Sequence, residues 1–253
     1  MQRAKGTMPM PLFRKIVDEA ATIPLISHIT ITGLGEPLLD RHLLERLRYI
    51  RAKLPHILLD MYTNGTYLRK KVVDDLIDVG LSVLYISLNG VDAQKRREIM
   101  KVDDYDEVVE YIKYAKAATA GTGTRVLVKG IVSKDLMEAG DQETFANQWG
   151  GRYSPESKQG AYLHLEGNWA GKVWPMRVTP TQACSRALSQ IMVLQDGRVS
   201  LCCFDSEGEM VLGDLNHQSL REIYGGPLAL GIREAHNDGR RSEIALCKNC
   251  TGI

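Results

Sequence analysis

Every cysteine of this 253-residue chain lies at or beyond position 184, and four of the five form two pairs. Cys247 and Cys250 make a C-x-x-C, a spacing that lets two sulfurs reach one metal centre. Cys184 and Cys202 lie on either side of Asp196-Gly197. Apolar residues flank that dipeptide, and Asp-Gly predicts a two-residue hairpin turn because the tight turns need φ > 0, which glycine accepts. The turn is expected to bring Cys184 and Cys202 together on its two arms. Four thiols in two pairs point to a metal or cluster site, and their spacing suits zinc and iron–sulfur ligation equally. The competing readings are buried cysteines acting as small hydrophobes, or a disulfide, which needs an oxidising compartment. The N-terminus MQRAKGTMPMPLFRKIVDEA has no uninterrupted apolar core, and no stretch is long enough to span a membrane, so a cytoplasmic chain is expected. Cys203 is left over and is read as structural.

The elements that must position these groups follow from hydrophobic periodicity. Helical spacing fits residues 11–21, 39–53, 68–79 and 104–119, and short β-rich runs appear at "LISHITIT", "ILLDMYT", "SVLYISL" and "RVLVKGIV". Strands separated by helices of this length predict parallel βαβ units. In such folds functional groups gather where strands end and loops begin. Three such ends carry small polar groups: Thr32-Gly33-Leu34-Gly35-Glu36-Pro37, Thr63-Asn64-Gly65 and Ser87-Leu88-Asn89-Gly90. Pro37 pushes Glu36 out of helical geometry and leaves a carboxylate at the first strand mouth. A net charge of +1 gives no electrostatic footprint for nucleic acid or an anionic membrane. The basic runs Arg69-Lys70-Lys71 and Lys95-Arg96-Arg97 fall beside helical patterns and are read as solvated helix faces.

"TGLGEP", "YTNGTYL" and "YISLNG", followed by Cys184-x12-Gly197-x4-Cys202 and Cys247-x2-Cys250, resemble a radical SAM enzyme with a C-terminal auxiliary-cluster domain of the SPASM/twitch type. "LHLEGNWAG" and "VLGDLNHQSLREIYGG" are also similar to that family. The resemblance implies an α/β fold: a partial (β/α)6 TIM-like barrel missing its first strand over residues 1–170, then a small cluster-binding domain with a β-hairpin over 171–253. It implies that Glu36 accepts a hydrogen bond from the amino group of S-adenosylmethionine, with Gly35, Asn64 and Ser87 nearby. It assigns Cys184, Cys202, Cys247 and Cys250 as ligands of one auxiliary [4Fe–4S] cluster. Substrate contacts are expected from Lys129, His164, Glu166, Asn168 and Trp169.

The family binds S-adenosylmethionine through a second [4Fe–4S] cluster held by C-x3-C-x2-C, and no such run exists here. The expectation is a sequence that begins just after that motif; the alternative is a natural protein that has lost the radical centre. With the motif supplied, the implied activity is oxidoreductase-type hydrogen abstraction from a small-molecule or peptide substrate, fed by a reductant such as flavodoxin or ferredoxin. A non-catalytic iron–sulfur protein and a radical SAM peptide maturase are the other readings.

Overall fold

The computed structural model describes residues 4–32, 35–132, 138–151, 161–165, 170 and 182–250. The chain divides into two compact units, one spanning 24–166 and the other built from 1–23 together with 167–253.

In the first unit, β1 (His28–Ile31), β2 (Leu58–Thr63), β3 (Val83–Ser87), β4 (Arg125–Val132) and β5 (Ala161–Leu165) form one parallel sheet in that order. The four strands read from periodicity are all present, and β5 extends the sheet. Between them run α2 (Leu43–Lys53), α3 (Lys70–Asp78), α4 (Ala93–Met100), α5 (Tyr105–Ala118) and α6 (Asp141–Gln148). Helix α2 starts later than its apolar spacing predicts, because Glu36-Pro37 opens a separate 3-10 turn over Pro37–Leu39. Alternation gives the sheet two different faces. Leu59, Met61, Leu84, Ile86 and Val128 are buried on one, as are Leu47 and Ile50 of α2, Leu76 of α3 and Ile112 of α5. The opposite face carries polar and aromatic side chains in register: Thr30 beside Asp60, Tyr62 beside Tyr85, and Ser87 beside Lys129.

The strand mouths are tied together by Arg96, which is fully buried. Its guanidinium donates to Leu88 O at 2.6 Å and Asn64 O at 3.1 Å, and pairs with Asp104 Oδ1 at 2.6 Å and Oδ2 at 3.1 Å. Gly90 makes this approach possible, since at φ +149° an added Cβ would lie 2.6 Å from Arg96 N. The run Lys95-Arg96-Arg97 is therefore not one solvated face. Lys95 pairs with Asp141 at 2.7 Å with little exposure, Arg96 is interior, and only Arg97 points into solvent.

The second unit contains an antiparallel sheet of β6 (Met192–Val193), β7 (Arg198–Ser200) and β8 (Val211–Asp214), with α1 (Met10–Ala21), α7 (Ser185–Ser189), α8 (Leu220–Tyr224) and α9 (Pro227–Asn237). Helix α1 docks here: Glu19 Oε2 accepts from Leu220 N at 2.7 Å, and Arg221 Nη2 donates to Thr22 O at 2.8 Å. The hairpin forms, but its loop is longer than the two residues expected. Gly197 N donates to Leu194 O and Leu194 N to Arg198 O, so Gln195 and Asp196 are the central turn residues. Gly197 follows in the left-handed region at φ +95°, a turn-plus-bulge geometry that lets an Asp-Gly pair serve a three-residue loop.

Burial alone would raise the Asp104 carboxyl, but hydrogen bonds from Arg96 and Thr66 and the guanidinium charge outweigh it and hold the pKa below the ordinary 3.8. A depressed carboxylate adds stability that is fully present above the unfolded value and lost as pH falls through the folded one. Asp104→Asn is therefore expected to lower unfolding free energy by about 3–5 kcal/mol at neutral pH, because it strands a buried cation. The difference from wild type should shrink below about pH 4 in urea titrations. A variant as stable as wild type at pH 7 would refute this account of the strand mouths.

Candidate functional sites: a carboxylate strand mouth and a four-thiol cavity

At the first mouth Glu36 is extended, with φ −103° and ψ 113°, as the following proline requires. Its Oε1 accepts from Thr63 Oγ1 at 2.8 Å and Leu38 N at 3.0 Å, while Oε2 accepts from Asn64 N at 2.8 Å. The carboxylate thus ties the loop that carries it, after β1, to the end of β2. An ionised carboxylate has about four lone-pair sites, so one on Oε2 remains for a cationic donor such as an amine. Gly35 is exposed beside it. Asn64 turns its side chain inward on the loop, Oδ1 accepting from Thr66 N at 2.9 Å. Ser87 ends β3 opposite Lys129, and its carbonyl lies 3.5 Å from Arg96 Nη1. Glu36 and Asn64 are therefore in direct contact, and Ser87 is linked to Asn64 through Arg96.

On the polar sheet face, Lys129 Nζ sits 4.4 Å from the Tyr62 ring centre, and Tyr62 stacks on Tyr85 at 4.3 Å with the planes 6° apart. Nearby, His28 Nε2 lies 2.7 Å from Asp60 Oδ2. His164 falls on β5, where the backbone is described. Glu166, Asn168 and Trp169 lie outside the described residues.

In the second unit, Cys184, Cys202, Cys247 and Cys250 line one cavity together with Arg241 and Leu201. The cysteines arrive by three routes. Cys184 is not on a hairpin arm but caps the N-terminus of α7, where its N–H donates to His236 Nδ1 at 3.2 Å. Cys202 follows β7 and opens a loop organised by buried Asp205, which accepts from Ser200 Oγ, Glu209 N and Met210 N. Cys247 and Cys250 share a tight turn, with Cys250 N donating to Cys247 O at 3.2 Å and Arg241 Nη2 donating to Cys250 O at 2.7 Å. Cys203 is partly exposed and is not part of the cavity wall.

The four thiols are electrostatically coupled. Burial above all, with smaller contributions from Cys202, Cys250 and Cys184 that Arg241 opposes, pushes the Cys247 thiol up to about 12. Burial likewise pushes Cys202 to about 11. All five cysteines are free thiols. Among the described residues, no three His, Cys, Asp or Glu side chains are arranged to hold a single metal ion. Four thiols around one cavity could hold zinc or a polynuclear iron–sulfur centre, whose irons are separately ligated.

The residues to which the sequence reading gave no site role are Thr63, Arg96, His236 and Arg241. Thr63 stands in the quoted Thr-Asn-Gly stretch and could have been found there. The other three carry no local signal.

An α/β sheet with a polar strand mouth, in a chain whose other unit gathers four thiols, defines a scaffold for iron–sulfur chemistry. The chain belongs to the radical SAM superfamily, which it matches over residues 2–141, and residues 184–251 match an iron–sulfur cluster-binding domain. It is similar to the tungsten-containing aldehyde ferredoxin oxidoreductase cofactor-modifying protein of Pyrococcus furiosus, 26% identical over 113 residues, 38% of this chain and 31% of that protein. The match thus spans about a third of that relative's length. The S-adenosyl-L-methionine-dependent 2-deoxy-scyllo-inosamine dehydrogenase of Niallia circulans is 20% identical over 252 residues, covering 100% of this chain and 84% of that one. The crystal structure of BtrN in complex with AdoMet and 2-DOIA shares the fold, with a TM-score of 0.66 at 18% identity over 98% of this chain and 82% of the other. Among the described residues no helix is long and apolar enough to cross a membrane.

Alanine at Cys184, Cys202, Cys247 or Cys250 is expected to abolish or distort the visible absorption of the anaerobically reconstituted protein, and Cys203→Ala to leave it intact. Loss of the chromophore in Cys203→Ala alone would mean that the ligand set is wrong.

Proposed function

We propose that this chain forms the barrel and auxiliary-cluster part of a radical SAM oxidoreductase that acts on a small polyhydroxylated substrate. The observation that carries the reading is the set of four thiols around one cavity, in a chain whose sheet presents Glu36 at its mouth. S-adenosylmethionine and a reduced first cluster, when bound, would supply the radical chemistry that takes hydrogen from substrate. No cysteine precedes position 184, so ligands for that first cluster would come from outside these 253 residues.

The chain's own residues do the holding. Glu36 receives the amino group of S-adenosylmethionine on the spare acceptor site of Oε2, with Gly35, Asn64 and Ser87 around it. Cys184, Cys202, Cys247 and Cys250 hold one [4Fe–4S] cluster. With four thiolates bound no coordination position is left open, which favours an electron-accepting role over substrate ligation. Lys129 and the Tyr62–Tyr85 stack offer a cation and two phenols to substrate hydroxyls. A small substrate is favoured because the relative aligned along this whole chain is named for an aminocyclitol. Flavodoxin or ferredoxin is the proposed electron source.

Reconstitution of the 253-residue chain should give about four iron atoms per chain and no reductant-dependent 5′-deoxyadenosine. Extending the chain by about 20–30 upstream residues that carry C-x3-C-x2-C should restore 5′-deoxyadenosine formation under dithionite, detected by chromatography. In that longer protein Glu36→Gln should weaken S-adenosylmethionine binding by about 1–3 kcal/mol. Because the same change sets an amide donor against a backbone donor, thermal melting must accompany the binding titration. No product from the extended protein would favour a non-catalytic iron–sulfur role.

A further inference from the structure

Arg241 is a buried cation whose visible partners do not account for it. Its residue exposure is 3%, it lines the same cavity as the four thiols, and it donates through Nη2 to Cys250 O at 2.7 Å. Among the described residues its Nε finds no hydrogen-bond partner and no carboxylate faces it. A guanidinium keeps its charge at any pH a protein meets, so it cannot escape burial by losing a proton. One carbonyl dipole does not replace the water such a charge gives up. Arg186, the other cation of the cavity wall, is only half-buried and lies over the Phe204 ring at 4.9 Å.

We propose that Arg241 is a positioning residue for the auxiliary cluster: it is the buried counter-charge of the four-thiolate centre, offers its Nε–H to the centre's sulfur, and raises the centre's one-electron reduction potential. The proposal rests on the reading of the cavity as a cluster site. A four-thiolate iron–sulfur centre is anionic, and reduction adds one more negative charge. A fixed cation in a dry wall therefore stabilises the reduced form more than the oxidised one, and a charged N–H donor to sulfur acts in the same direction. Both effects make the centre a better electron acceptor. Pinning the Cys250 carbonyl is the rival, purely structural role, and it predicts no dependence on charge.

The test separates the two with Arg241→Lys, which keeps the charge, and Arg241→Gln, which keeps a donor for the Cys250 carbonyl but is neutral. Wild type and both variants are reconstituted anaerobically as the 253-residue chain, iron is counted, and the cluster is titrated with dithionite through redox mediators under electron paramagnetic resonance. The equilibrium constant for one-electron reduction is expected to fall about tenfold or more in Arg241→Gln, which for a one-electron couple is about 59 mV, and to change less in Arg241→Lys. A cluster taken up by Arg241→Lys but not by Arg241→Gln would also support a charge role. Equal potentials in all three proteins, or failure of both variants to take up iron, would overturn it in favour of the structural role. A wild-type chain that takes up no cluster would instead overturn the reading of the cavity itself.

Discussion

A guanidinium without solvent must satisfy five N–H donors and a permanent charge from within the protein, and Arg96 imposes that requirement on the mouth of the sheet. Its acceptors are the carbonyls after β2 and β3 and the carboxylate that opens α5, so three separate chain segments converge on one planar group. The geometry of each loop then constrains the others. Gly90 is needed because the backbone passes too close to Arg96 for a Cβ. Asn64 is held at its carbonyl by Arg96 and at its N–H by Glu36, so the candidate cofactor carboxylate inherits its position from the same buried charge. Removing one member leaves the rest with unpaired groups in a low-dielectric setting, where an orphan costs more than a made bond contributes.

Arg96 and Arg241 are interior guanidiniums, one in each unit, and the difference between them is informative. Arg96 is neutralised at close range by Asp104, so its network is complete as it stands. Arg241 has a carbonyl and four thiols around it but no described carboxylate. Thiols whose burial and mutual repulsion keep them protonated do not neutralise a cation. Thiolates bound to a metal centre do, and binding such a centre is what would release those protons. The apolar surroundings of the cavity, with Ala187, Leu201 and Leu246 in its wall, would strengthen both effects by excluding water.

The parts of this arrangement that depend on local spacing were legible in the sequence. Alternating β-branched and aromatic residues marked four of the five strands, and the paired cysteines marked the cavity because ligand spacing is short-range. The proline after Glu36 fixed an extended carboxylate at the strand end. What escaped depends on contacts distant in sequence. Arg96 looks like one cation in a run of three, and nothing local says that Asp104 and two strand-end carbonyls will enclose it. Cys184 lies near the hairpin in sequence, yet it caps a separate helix because the residues after it turn helical before the strand begins. His236 and Arg241 meet the cysteines only through the packing of α9 and the turn beyond it. The strand β5 was hidden for a related reason: a short run of mixed residues becomes a strand only when the edge of β4 is there to pair with it.

A parallel sheet is ordinarily covered by apolar layers on both faces, and its strands then read as continuous hydrophobic runs. Here β2 and β3 do not: Asp60 and Tyr62 interrupt one, Tyr85 and Ser87 the other, always on the face away from the buried aliphatic layer. Polar groups persist in such a place only if they are paired or reach water or a ligand. Some are paired, as His28 with Asp60 and Lys129 with the Tyr62 ring. The pairing is incomplete, because Asp60 Oδ1 is buried and has no partner among the described residues. A second layer of helices would leave that oxygen stranded, whereas a polar cavity with water or a hydroxylated ligand would satisfy it. The polar face therefore argues for a ligand-bearing interior on the same side as the residues proposed to meet substrate, from the chemistry of the strands alone.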